Sequence, residues 1–245
     1  MRWPMSLNRK AILTETTKQP RAAKRPVRFF DNRQKYLAFV NTCNEKWKVA
    51  ERAAKELSHL RPEPPALRVF DAGMGDGTVL THVMRAMHQR FTTLPFYIVG
   101  KEISLEDVRL SLEKLPDRLV EHPASVIVIT NLYYSESPWL MPRDVNKAAA
   151  LNWKTVELDG GSSYGFGQQL RSLDEFLVDA WQATASPTSG NPMYVRPTVL
   201  TIYRKDHKFL LDSIIPHRGQ AGADYDLVLA SQPWRARMPS KPKRW

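Results

Sequence analysis

The sequence predicts an α/β fold: a seven-stranded, mostly parallel sheet with helices on both faces and an antiparallel terminal hairpin. Three observations predict it. Short apolar runs alternate with helical patterns through the middle of the chain, which implies parallel strands joined by crossover helices. Several runs, such as "SVIVIT" and "DLVLAS", are apolar at successive positions, as strands covered on both faces are. The last two runs are separated only by "PHRGQAGADY", a turn-rich link too poor in helix formers for a crossover.

The elements follow in order. Residues 1–30, rich in Pro, Thr, Lys and Arg without sustained periodicity, read as a disordered basic tail. Order is expected from Asp31, a suitable N-cap. Tyr36, Val40, Cys43, Trp47, Ala50, Ala54 and Leu57 then recur at helical spacing, predicting a long amphipathic helix. "RPEPPA" stops it, because proline cannot continue a helix. Strands are predicted at Leu67–Asp71, Phe96–Gly100, Ser125–Thr130, Lys154–Leu158, Thr198–Tyr203, Phe209–Ile215 and Asp226–Ser231. Helices are predicted at Thr78–Phe91, Ser104–Leu115 and Ser172–Trp181, the last two opening on capping-box patterns. One domain over residues 31–235 results, flanked by the tail 1–30 and a second basic tail, 236–245.

Composition narrows the function classes. A chain of 245 residues with 42% hydrophobic content suits one sizeable domain. No apolar run reaches the roughly 18 to 20 residues that span a bilayer, and the start lacks the apolar core of a secretory signal. The one cysteine, Cys43, lies on the helical stripe and reads as a packed small hydrophobe. It excludes an internal disulfide framework and fits a reducing, cytoplasmic setting. Six scattered histidines show no metal-ligand spacing, so no metal is expected.

The net charge of +11 is concentrated at the ends. Residues 1–28 carry eight Lys/Arg against one acid, and residues 235–245 carry five against none, so the body between them is near −1. Such tails either solubilise the protein or dock on nucleic acid or another anionic surface. A basic, acid-poor start is also compatible with a mitochondrial presequence.

The most informative stretch is "LRVFDAGMGDGTVLTHVM", Leu67 to Met84. Three alternate glycines, Gly73, Gly75 and Gly77, follow a strand and precede a helix. Lacking Cβ, they let a ligand approach the backbone, beside the free N–H groups of a helix start. A P-loop is excluded because the Gly-Lys-Ser/Thr ending is missing. The dinucleotide pattern Gly-x-Gly-x-x-Gly fails at its third glycine, where Thr78 stands. Asp71 would repel a pyrophosphate and attract a cation.

"DAGMGDG" resembles the acid-x-Gly-x-Gly-x-Gly motif of class I (Rossmann-like) S-adenosylmethionine-dependent methyltransferases and matches it at every defined position. The seven strands with a closing hairpin resemble that family as well. The resemblance implies that S-adenosylmethionine is the cofactor, with Asp71, Gly73, Gly75, Asp76 and Gly77 around it. Glu102, past the second strand in "FYIVGKEIS", then binds the ribose hydroxyls beside Ile103. In "VITNLYYSES" the resemblance leaves two readings open. After a third strand, Asn131 hydrogen-bonds the adenine and Leu132 packs on its ring. After a fourth, "NLYY" is a degenerate Asn-Pro-Pro-Tyr motif that makes Asn131 and Tyr134 a clamp on a substrate nitrogen. Spacing favours the first. The segment after strand four, with Asp159, Ser162, Ser163 and Tyr164, is expected near the methyl group, or else is a Gly/Ser-rich turn. The polar face of the first helix (Asn32, Lys35, Asn41, Asn44, Glu45, Lys48) either touches the acceptor or is solvated.

Methyl transfer rests on positioning and desolvation, and no residue pair declares itself as a general base. Three functions compete: a methyltransferase for a small molecule, lipid head group or protein side chain; an RNA methyltransferase gripping phosphates with its tails; and a non-catalytic scaffold that binds the cofactor.

Overall fold

The computed structural model describes residues 44–231, apart from 189 and 221. Both tails and the expected helix from Asp31 through Cys43 lie outside the described residues. The first helix, α1, is Glu45–Glu56, closed by a 3-10 turn at Leu57–His59. It continues the sequence-predicted stripe: Ala50 and Leu57 are buried, whereas Trp47 stays half-exposed, its ring edge on His82.

Six strands form the main sheet. They are β1 (Leu67–Asp71), β2 (Phe96–Lys101), β3 (Ser125–Thr130), β4 (Asn152–Leu158), β7 (Thr198–Arg204) and β8 (Leu227–Leu229). Two more, β5 (Ala183–Ala185) and β6 (Pro192–Tyr194), pair antiparallel in a separate ribbon. The main order is β4-β7-β3-β2-β1-β8. Every neighbouring pair is parallel except β3 with β7. The fold is therefore α/β with a mostly parallel sheet, as the alternating runs imply.

Helix α2 (Thr78–Arg90) joins β1 to β2, and α3 (Leu105–Glu121) joins β2 to β3. Two successive crossovers of one hand leave both helices on one face. There Val83 and Met87 of α2 and Leu112 and Leu119 of α3 pack on Val69, Ile98 and Ile127. α3 starts where sequence places it, its cap Ser104 accepting from the Asp107 N–H. It runs six residues past the predicted end and through Pro116, because Leu115 and Leu119 keep the apolar period going into the core. After α4 (Val145–Ala149) and β4, helices α5 (Ser163–Arg171) and α6 (Asp174–Ala180) extend the same layer through Phe166, Leu170 and Leu177.

Four expectations are corrected. The sheet has six strands, and among the described residues no hairpin closes it. Phe209–Ile215 is no strand; Lys208–Leu211 forms the short helix α7. Phe209 is 98% exposed while Leu211 is fully buried, a turn-like rather than alternating burial, and a short apolar run does not separate helix from strand. The following strand, β8, pairs parallel with β1 at the opposite edge from β4. Finally, among the described residues the longer helices all lie on one face. Phe70, Val99, Val128 and Tyr203 on the other face are covered mainly by loops, the ribbon and Leu211 of α7. Ser172 also fails as a helix cap: its hydroxyl donates to the Gln169 carbonyl, and α6 begins after Leu173.

Candidate functional site

β1, β2 and β3 all end on one edge of the sheet. In an open parallel sheet ligands sit beyond these carboxyl ends, where the strand order reverses. Here the reversal falls at β1: the chain moves from β1 to β2 and β3 on one side, and β8 lies on the other. The Ala72 N–H donates to the Leu229 carbonyl, so the ends of β1 and β8 stand side by side.

The glycine loop is built there. Gly75 (φ 56°) and Gly77 (φ 74°) take left-handed angles, which disfavour other residues. The Gly77 N–H donates to the Met74 carbonyl, closing a tight turn. A Cβ at Gly77 would lie 2.9 Å from the Ser111 hydroxyl, whereas one at Gly75 would meet nothing within 4 Å. The loop is thus pressed against α3 at Gly77 and open at Gly75. From α3, the Ser111 hydroxyl donates to the Gly75 carbonyl at 2.9 Å. Met74 tucks its sulfur over Gly100, where a Cβ would come within 2.5 Å.

Three acids surround this loop, and each is used differently. Asp76 is a clamp. It accepts from Lys46 of α1 at 2.6 Å and from Lys114 of α3 at 2.9 Å, and it also takes the Thr78 N–H and hydroxyl. Burial alone would raise its pKa, but these bonds outweigh it and hold the carboxyl well below the usual range. Glu102 accepts three backbone N–H groups, from Gly75 at 2.9 Å and from Ile103 and Ser104 at 2.8 Å. Of roughly four lone-pair sites on a carboxylate, one remains, on Oε2. Burial raises the Glu102 pKa against the pull of the Ser104 N–H. The Trp181 indole, at the end of α6, donates to the Glu102 carbonyl at 2.9 Å.

Asp71 differs from both. It is 1% exposed. One oxygen accepts the Gly73 N–H at 3.1 Å, and among the described residues no donor serves the other. Burial pushes its pKa up to about 7, the Gly73 bond lowers it, and the nearby Glu102 charge raises it further. A buried carboxylate with no cationic partner is costly. Such a group favours a cation arriving from outside.

The remaining sequence candidates are placed elsewhere. The Asn131 side chain joins the end of β3 to its neighbours: its amide donates to the Ala180 and Arg196 carbonyls, and its oxygen accepts the Thr198 N–H. Leu132 is fully buried in the core of the loop-covered face. Both are therefore committed to packing, and neither reading of "NLYY" leaves Asn131 donors for a ligand. Tyr134 is half-exposed at this edge, its ring 4.6 Å from the Lys101 ammonium.

The segment after β4 is not beside the glycine loop. β4 runs with β7 and therefore against β3, so Leu158 pairs with Arg204, one step beyond the Tyr203–Val126 pair. That level is the start of β1, not its end. Four residues and four strand spacings separate Leu158 from Asp71, on the order of 20 Å. Asp159 is exposed, with its N–H on Gln169. Ser162 caps α5, accepting the Gly165 N–H at 3.1 Å, and Tyr164 is 75% exposed. Of the polar face of α1, Asn44, Glu45 and Lys48 are exposed.

Sequence reading missed Lys46, Ser111 and Lys114, which fix the loop from 30 to 38 residues away, and Trp181, which holds the Glu102 carbonyl from 79 residues away. Only the helical placement of Ser111 and Lys114, on one side of α3, was legible as a signal. No protein-family model, no curated protein and no solved structure matches this chain.

Proposed function

We propose that the crevice at the ends of β1, β2 and β8 binds S-adenosylmethionine and that the protein is a methyltransferase of the Rossmann-like kind. One observation carries this reading. Asp71 is a carboxylate buried, among the described residues, without a cation, beside a glycine loop whose open face is at Gly75. A nucleoside that carries positive charge answers both features, whereas a dinucleotide or nucleotide phosphate would meet Asp71 and Glu102 with like charge.

The residues fit such a ligand in a limited way. Asp71 supplies the counter-charge. Glu102 has one free lone-pair site, enough for one ribose hydroxyl in a charge-assisted bond, not for the two the sequence motif implies. Gly75 and Gly77 provide the approach to the backbone. Asp76 holds the loop rather than the ligand, and Asn131 and Leu132 are spent on the fold. The cofactor, when bound, supplies an electrophilic methyl group. The chain contributes position and exclusion of water: Lys46 and Lys114 lock the loop from two helices, so little reorganisation remains for binding. No described residue is placed as a general base.

The test is calorimetric titration of the full chain with S-adenosylmethionine, repeated on Asp71→Asn and Glu102→Gln. Saturable binding, weakened at least tenfold by each substitution, is the expected outcome. Absence of heat at millimolar cofactor, or indifference to both substitutions, overturns the reading.

A further inference from the structure

A second cavity, of about 400 Å³, lies between α3 and the α5–α6 pair, within the size range of small-molecule sites. It is separate from the glycine loop. On α3 the residues that touch the loop, Ser111 and Lys114, lie roughly opposite the residues Arg109, Glu113 and Pro116 that line this cleft.

Its floor is aliphatic: Leu112, Pro116, Leu170 and Leu177 line it and are buried. Its ends are fenced by finished pairs. Arg109 grips Asp174 through two bonds of 2.7 and 2.9 Å, and the Ser163 hydroxyl donates to Asp117 at 2.5 Å. Between the fences, Glu113 projects from α3 and Arg171 from α5. Neither has a hydrogen bond or ion pair among the described residues. One anion and one cation thus face an apolar floor from opposite walls.

Gly167 points to the use of this space. It stands inside helix α5 and lines the cleft, though glycine is among the poorest helix formers. Packing does not require it: an added Cβ would lie 3.8 Å from Pro116 and 4.0 Å from the Arg171 guanidinium, ordinary contacts. Its φ is not left-handed either. What the missing side chain provides is room. Across the gap stands Pro116, a second residue that a helix interior disfavours.

We propose that this cleft binds a small zwitterion with a short aliphatic body. Its ammonium meets Glu113, its carboxylate meets Arg171, and its methylenes lie on the leucine floor. The charge arrangement excludes a purely anionic ligand, which Glu113 would repel, and a purely cationic one, which Arg171 would repel. The site does not depend on what the glycine loop binds.

The probe is a series of ω-amino acids, 4-aminobutanoate, 6-aminohexanoate and 8-aminooctanoate, titrated into the full chain and followed by heteronuclear NMR. At least one should saturate at roughly millimolar concentration, with shifts confined to α3, α5 and α6. Glu113→Gln and Arg171→Met should each weaken it at least tenfold. Both side chains are exposed, so these variants keep the fold. Gly167→Leu should abolish binding and Gly167→Ala should retain it. The proposal is overturned if no member of the series saturates by about 20 mM. It is equally overturned if hexanoate or hexylamine binds as tightly as 6-aminohexanoate, or if both charge substitutions leave affinity unchanged.

Discussion

The two halves of the sheet are built from similar strands but present different ends. In the half made of β8, β1, β2 and β3 all strands run one way, and the loops after β1 and β2 meet at one crevice. In the half made of β7 and β4 the direction is reversed, so the loop after β4 opens on the far edge. Polar groups follow this division. Around the glycine loop Asp71 and Asp76 are buried and Glu102 is partly buried, and among the described residues Asp71 has no cationic partner. After β4, Asp159, Ser162 and Tyr164 are exposed, and Ser162 is occupied with starting a helix. One strand reversal decides whether a polar loop lies at the glycine-loop crevice or at the opposite edge of the sheet.

Substitutions on the two sides should separate ligand affinity from stability. The largest effect is expected at Asp71. Asp71→Asn should lower S-adenosylmethionine affinity by two orders of magnitude or more. The same change should stabilise the free protein at alkaline pH. The folded pKa of Asp71 is raised, to about 7. Its stability contribution is therefore intact below the unfolded value near 4 and is lost as pH rises through 7, at a cost of a few kcal/mol. Denaturant melts at pH 5 and pH 8 check this: the variant's advantage should be small at pH 5 and clearly larger at pH 8.

The next effect falls on the loop scaffold. Gly77→Val places a branched side chain at φ 74° and against Ser111, and should destabilise by about 2 to 4 kcal/mol. Lys46→Met removes one of the two cations on the buried Asp76. With Lys114 remaining, the expected loss is about 1 to 3 kcal/mol, together with weaker cofactor binding. Melting curves measured alongside calorimetry resolve the two contributions.

The smallest effects belong to the reversed half. Ser162→Ala should cost about 1 kcal/mol through loss of a cap, and Asp159→Ala less than about 0.5 kcal/mol. Neither should alter cofactor affinity. A tenfold change in affinity from either would mean that this loop reaches the crevice after all.

What sequence made legible follows the same division. The strands β1 to β3, the helices between them, the glycine turn and Glu102 are consecutive in the chain, and local signals fix them: Gly77 must take a left-handed angle, and Ser104 must cap α3. The failures are matters of direction and distance. Nothing in "KTVEL" tells which way that strand runs in the sheet, yet this decides where Asp159 emerges. The run "KFLLDSII" carries no period that separates helix from strand, so α7 read as a strand and a hairpin was expected where β8 crosses to the opposite edge. Asn131 reads as a polar residue at a strand end whether it meets adenine or, as here, the carbonyls of Ala180 and Arg196. Lys46 has no local mark of its tie to Asp76.

The reading of the crevice rests on Asp71 ionising to meet a cation, and proton release on binding measures that directly. S-adenosylmethionine titrations at pH 6 in two buffers of different ionisation enthalpy give the number of protons exchanged. With the Asp71 pKa at about 7, binding at pH 6 should release about 0.9 proton, and Asp71→Asn should abolish the release. Saturable binding without proton exchange, or release that persists in the variant, would contradict it.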